Sequence, residues 1–97
     1  MRIDLMTVEF HLEGCTSLKD KRSRLRGMRD RIGRQRSIAV AETDHQNMLY
    51  RSEWAFLVLA QNQRLVDKII MEIEKDLTSQ VDASIVSMHR EIGRAHV

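Results

Sequence analysis

RIDLMTVEFHL, residues 2–12, sets Met6, Val8, Phe10 and Leu12 alternately against Thr7, Glu9 and His11. A period of two is that of a strand with one face buried and one wet. Gly14 stops this strand. Ser17 is placed to cap a helix, with Asp20 three residues on as the partner of a capping box, and the apolar spacing carries that helix to Ile32 before Gly33 ends it. SIAVAETD, 37–44, is short and rich in small and β-branched residues, and YRSEWAFLVLAQN, 50–62, is apolar on both alternating sets; these are the second and third strands. Asn62 then caps a second helix in which Leu65, Val66, Ile69, Ile70, Ile73 and Leu77 recur at helical spacing, and VDASIVSMH, 81–89, is the fourth strand.

The order β-α-β-β-α-β predicts an α+β, ferredoxin-like domain: a four-stranded antiparallel sheet with both helices on one face. On the third strand Trp54, Phe56 and Val58 share one face and Ala55, Leu57 and Leu59 the other, while only one face meets the helices. The uncovered apolar face predicts a homodimer through the open side of the sheet.

Ninety-seven residues make one domain. The longest clean apolar run, Ala55 to Ala60, is far short of a membrane span, Arg2 and Asp4 precede no apolar signal core, and a lone Cys15 permits neither an internal disulfide nor a cysteine-built metal site. A cytoplasmic protein of bacterial type is expected, without membrane attachment, cofactor, metal or small-molecule ligand. The ending EIGRAHV, 91–97, reverse-translates to GAG-ATC-GGA-AGA-GCA-CAC-GTC, which contains a common sequencing-adapter string. The domain is therefore expected to span residues 1–90, with 91–97 set apart as adapter read-through. Arg94 and His96 receive no functional weight.

Residues 17–36 carry nine of the sixteen Lys and Arg against only Asp20 and Asp30, a local +7, while the rest of the chain carries −5. Leu18, Leu25, Met28 and Ile32 form the apolar stripe of this helix if Lys21 is counted in it. Lys19, Arg22, Arg26 and Arg29 repeat at 3-4-3 spacing as a cationic line on one flank, and Arg24 and Arg31 lie on the other. Sixteen helical residues span about 24 Å, enough for the line to follow several consecutive phosphates. A solvated face with snorkelling side chains is the other reading of such a run, and against it stands the sign bias, since a solubilising face would mix signs at i,i+4. The one-sided charge predicts polyanion binding, RNA foremost, with Lys19, Lys21, Arg22, Arg26 and Arg29 as the nucleic-acid-binding residues. Contact through the backbone rather than bases is expected, because the open-face positions of the first strand offer Thr7, Glu9 and His11 instead of stacking aromatics. With the Lys21 stem among Leu18, Leu25 and Met28, Lys21→Met is expected to preserve or raise stability.

Glu42, Asp44 and His45 cluster after the second strand, and carboxylates beside an imidazole could hold a metal or pass a proton, although the spacing is not diagnostic. His11 and His89 fall on neighbouring strands but lack carboxylate support. No nucleophile–base pair, P-loop or dinucleotide fingerprint is present. An acylphosphatase-type site would need a Gly-rich loop with Arg after the first strand, and LEGCTSLKD has one Gly and no Arg. A non-enzymatic protein is expected.

The junction HLEGCTSLKDKR, its continuation through Leu25, Met28 and Ile32, and VAETDHQN followed by Arg51 resemble the YlxP-like family of small bacterial proteins over residues 1 to about 90. The family pattern favours Asp where Asn47 stands and Trp where Leu49 stands. The resemblance implies the ferredoxin-like fold and a motif turn of unassigned role comprising Glu42, Asp44, Gln46 and Arg51. Family genes often neighbour those of translation initiation and ribosome maturation, which implies a ribosome-linked role. The leading expectation is thus an RNA- or ribosome-associated module that binds phosphate backbone through helix 17–32. Its alternatives are a protein-interaction module whose basic helix docks an acidic partner, and an enzyme using the Glu42/Asp44/His45 turn.

Overall fold

The computed structural model describes residues 1–94. Its elements run β1 (Arg2–His11), α1 (Leu18–Gly33), β2 (Ile38–Asp44), β3 (Arg51–Ala60), α2 (Gln63–Ser79) and β4 (Ser84–Arg94). The sheet order is β2-β3-β1-β4 with every neighbouring pair antiparallel, so the predicted α+β, ferredoxin-like arrangement is the observed one. β1 and β3 occupy the centre, where Leu5 faces Leu57 and Met6 faces Phe56 across the ladder.

The alternation in β1 and β3 decides which side is covered. Met6, Val8, Phe10, Trp54, Phe56 and Val58 are buried beneath the helices, against Leu25, Met28 and Ile32 of α1 and Val66, Ile70, Ile73 and Leu77 of α2. Full burial of each large apolar side chain contributes about 1.5–3 kcal/mol. Leu65 is exposed rather than part of the α2 stripe, because Val66, Ile70, Ile73 and Leu77 alone complete the 3-4 spacing that faces the sheet. Asp4 takes an inward position at one end of this face. Arg90 of β4 closes that end, donating from Nε to Asp4 Oδ2 at 2.9 Å and from Nη2 to Asp67 of α2 at 3.0 Å.

Both helices begin as their caps dictate: Ser17 Oγ accepts from the Asp20 amide at 3.0 Å and Asn62 Oδ1 from the Leu65 amide at 2.9 Å. Gly14, at φ 67°, makes the left-handed turn between β1 and α1 that a glycine adopts without Cβ strain. β4 starts three residues later than expected, since Val81 and Ala83 pack on the core while the chain leaves α2. It also continues past residue 90, with Glu91, Ile92 and Gly93 opposite Leu5, Asp4 and Ile3. Residues 95–97 of the expected read-through segment, His96 among them, lie outside the described residues.

The outer face, left bare by both helices, carries Ile3, Leu5, Ala55, Leu57 and Leu59 at one end of the sheet. Leu57 is 42% exposed where its neighbour Val58 is fully buried, which settles the parity of β3. No helix among the described residues is long and apolar enough to cross a membrane.

Candidate nucleic-acid interface and adjoining cleft

The cations of α1 divide into two groups. Arg24 donates to both carboxylate oxygens of Asp20, at 3.4 and 3.1 Å, and to the Glu13 carbonyl at 2.8 Å, clamping the start of the helix to the loop before it. Arg31 makes a two-pronged bond to Asp76, both arms 2.9 Å, and so ties α1 to α2. These contacts hold the Asp20 carboxyl below its ordinary range, chiefly through the Arg24 hydrogen bond, and raise Arg31 through its bond to Asp76. By contrast Lys19, Arg22, Arg26 and Arg29 are exposed. Among the described residues Lys19, Arg22 and Arg26 have no hydrogen-bond or ion-pair partner, and Arg29 has only a loose approach to Asp30 at 3.9 Å.

Lys21 differs from the surface role expected of it. It occupies the apolar stripe and is 3% exposed, with its ammonium turned into the protein. Nζ donates to the His45 carbonyl at 2.6 Å and to the Gln46 carbonyl at 3.4 Å, and lies 3.2 Å from Glu42 Oε2. The same Oε2 accepts from Ser52 Oγ at 2.5 Å, and Ser52 Oγ accepts from Trp54 Nε1 at 2.7 Å. A polar chain thus runs Trp54, Ser52, Glu42, Lys21 and on to the β2–β3 turn, fastening α1 to it. Lys21 leaves the set of surface cations, because an ammonium so bonded would have to abandon three partners to meet a phosphate. The expectation for Lys21→Met changes too, since Met would strand those partners.

His45 has φ 63°, a left-handed conformation that His tolerates better than most residues and that lets its carbonyl receive both Lys21 and the Met48 amide, the latter at 3.0 Å. Its ring goes to the open side of the sheet, where Nε2 lies 3.2 Å from Glu9 Oε1. Arg51 Nη2 donates to the same oxygen at 2.5 Å, and this hydrogen bond is the main reason the Glu9 carboxyl sits below its ordinary range.

The turn residues therefore do not form one site. Glu42 and Gln46 belong to the α1 side; Asp44, whose Oδ1 accepts from the His45 amide at 2.7 Å, and Arg51 belong to the open face with Glu9 and His45. The expected Glu42/Asp44/His45 cluster is replaced by Asp44, His45 and Glu53, whose ligand atoms lie within 4.8 Å of one another and could together hold a metal ion. An irregularity in the β2–β3 ladder between Glu42 and Asp44 makes this switch of sides. His11 and His89 are not paired either: His11 stands opposite Ser84 and His89 opposite Thr7.

Between α1 and the β2–β3 turn lies a cleft of about 340 Å³. Arg22, Arg26 and Arg29 supply one side, Glu42, Gln46 and Asn47 the other, and Leu18, Leu25 and Trp54 complete the lining with Lys21. The sequence reading missed this cleft and the roles of Ser52 and Trp54. The available signal was a pair of misplaced polar residues, Lys21 in an apolar helix stripe and Ser52 at a core-facing strand position.

A solved structure titled "Structural Genomics, protein YJCS" superposes with a TM-score of 0.56 at 6% identity, covering 92% of this chain and 96% of that one, a likeness of fold alone. No curated protein matches the chain. The model of the family described as "Protein of unknown function (DUF503)" matches residues 3–90, spanning everything from β1 into β4, and the chain belongs to that family.

Proposed function

We propose that this protein is a non-enzymatic, cytoplasmic RNA- or ribosome-associated module that tracks phosphate backbone with Lys19, Arg22, Arg26 and Arg29 of α1. One observation carries the reading: the cations Lys21, Arg24 and Arg31 are committed to hydrogen bonds that tie the fold together, while those of the 3-4-3 line stand exposed, three of them without a protein partner among the described residues. Unpaired like charges along one helix repel each other, and a polyanion relieves that repulsion while releasing its own counterions. The finer likeness to the YlxP-like family, on HLEGCTSLKDKR and VAETDHQN, supports a ribosomal setting. The apolar outer face, with Ile3 and Leu5 of β1 beside Leu57 and Leu59 of β3, supports a homodimer in which a second copy of the chain covers it.

The test is co-sedimentation with ribosomal subunits or their precursors, before and after thorough RNase treatment. Association that is lost with the RNA supports the reading. Association that survives intact assigns the basic helix to an acidic protein partner instead.

A further inference from the structure

The cationic line does not stand on an open surface along its whole length: Arg22, Arg26 and Arg29 border the cleft, and Lys19 lies beyond its lining. A site for phosphate alone needs only the guanidiniums. This one adds Leu18, Leu25 and Trp54 as apolar lining and the amides of Gln46 and Asn47, which carry both donors and acceptors. Its volume falls in the range of small-ligand sites. An anion with a flat apolar body and hydrogen-bonding edges fits that combination, and a sugar phosphate without a base does not use it.

Glu42 narrows the choice. Its Oε2 takes both Ser52 and Lys21, so the negative charge is compensated from within, and its Oε1 has no hydrogen-bond partner among the described residues. A carboxylate oxygen in a cleft accepts; it favours a base that presents an amino group, as a carboxylate does with cytosine N4.

We propose that the cleft between α1 and the β2–β3 turn binds one nucleotide unit with an amino-bearing base, its phosphate on the arginines and its base on the Trp54 side against Glu42. The proposal rests on the phosphate-binding reading above and adds one base site to it. The nucleotide comes either from a single-stranded RNA or from the free pool, and the chemistry of recognition is the same.

Trp54 is the only tryptophan in the chain, so its emission reports the cleft directly. The full chain is titrated with decameric oligo(rC), oligo(rU), an abasic ribose-phosphate decamer and free CMP. The expected order is oligo(rC) above oligo(rU) above the abasic decamer, with roughly ten-fold between the first and last, and a change in Trp54 emission with oligo(rC). CMP that binds as tightly as oligo(rC), with the same emission change, identifies the free nucleotide as the source; CMP much weaker than oligo(rC) identifies RNA. In the Gln46→Ala/Asn47→Ala variant, which alters two exposed turn side chains, the oligo(rC) to abasic ratio falls while the salt dependence stays. Equal binding of oligo(rC) and the abasic decamer with unmoved Trp54 emission overturns the cleft proposal and leaves the backbone reading standing. Oligo(rC) no tighter than oligo(rU) overturns the amino-base assignment. Failure of every ligand to bind at low salt removes both readings.

Discussion

Lys21→Met tests the polar chain that holds α1 to the β2–β3 turn. Met matches the Lys stem in the stripe beside Leu25 and Met28, so the apolar contribution is kept and the loss is electrostatic. The Gln46 carbonyl loses its Lys21 donor, the His45 carbonyl keeps only the Met48 amide, and the Glu42 carboxylate loses its cation while keeping Ser52 Oγ. Hydrogen bonds to charged groups contribute about 1.5–3 kcal/mol, and removing one partner of a fully buried pair costs about 3–5 kcal/mol. The Glu42 side chain is 24% exposed, so water recovers part of its solvation and the cost falls below the fully buried range. A loss of about 2–3 kcal/mol follows, which for a domain of this size lowers Tm by roughly 10–20 °C. Urea unfolding followed by Trp54 emission measures it, with an unchanged m-value required for the comparison. Adding Glu42→Gln to Lys21→Met removes the stranded charge, and the double variant should be more stable than the sum of the two single losses predicts. If Lys21→Met stays within about 0.5 kcal/mol of the unsubstituted protein, below the usual cost of a stranded buried partner, the chain of bonds holds nothing together.

On β3, Leu57→Glu places a charge on the open face and should give a folded monomer by light scattering, whereas Val58→Glu buries a charge in the core and should prevent folding, at a cost above about 4 kcal/mol. An unchanged mass for Leu57→Glu excludes the open face as the dimer contact. Acid should weaken the fold through Glu9, Asp20 and Asp67, whose carboxyls are depressed mainly by hydrogen bonds from Arg51, Arg24 and Gln63 respectively. A depressed folded pKa means that the stabilisation is complete above the ordinary values of 4.5 and 3.8 and is lost as pH falls through and below them. The urea midpoint should be flat from neutrality to about pH 5 and fall below that; a midpoint that rises between pH 5 and pH 3 contradicts the assignment. Arg24, Arg31 and Arg90 are shifted upward, chiefly by their hydrogen bonds to Asp20, Asp76 and Asp4, so deprotonation of these arginines removes nothing on the alkaline side of the working range.

The architecture was legible because its signals are local. Alternation in residues 2–12, a cap at Ser17 and another at Asn62, and the 3-4 spacing of Val66, Ile70, Ile73 and Leu77 each need only a few neighbouring residues. The site was legible only in part. Lys21 was visible as a cation in an apolar stripe, but its partners are the carbonyls of His45 and Gln46 and the carboxylate of Glu42, more than twenty positions away. Arg31 looked like one more repelling charge until Asp76, forty-five positions on, proved to hold it. Glu42, Asp44 and His45 looked like one cluster because adjacency in sequence does not reveal the ladder irregularity that sends Glu42 under α1 and the other two to the open face. The bare apolar side of β3 could be foreseen, but which of Leu57 and Val58 faced outward needed the pairing with β1.

The salt dependence of RNA binding tests the central claim most directly. Each phosphate contact contributes about 0.7 to the slope of log K against log salt on a single strand and about 0.9 on a duplex, so changing Lys19, Arg22, Arg26 and Arg29 together to Gln should flatten the single-strand slope by roughly three units. Stability should stay nearly constant, because all four side chains are exposed and Gln has a helix propensity close to theirs. A flattened slope in a variant with an unchanged urea midpoint is the predicted result; an unchanged slope would make the line of cations a solvated face and contradict the account.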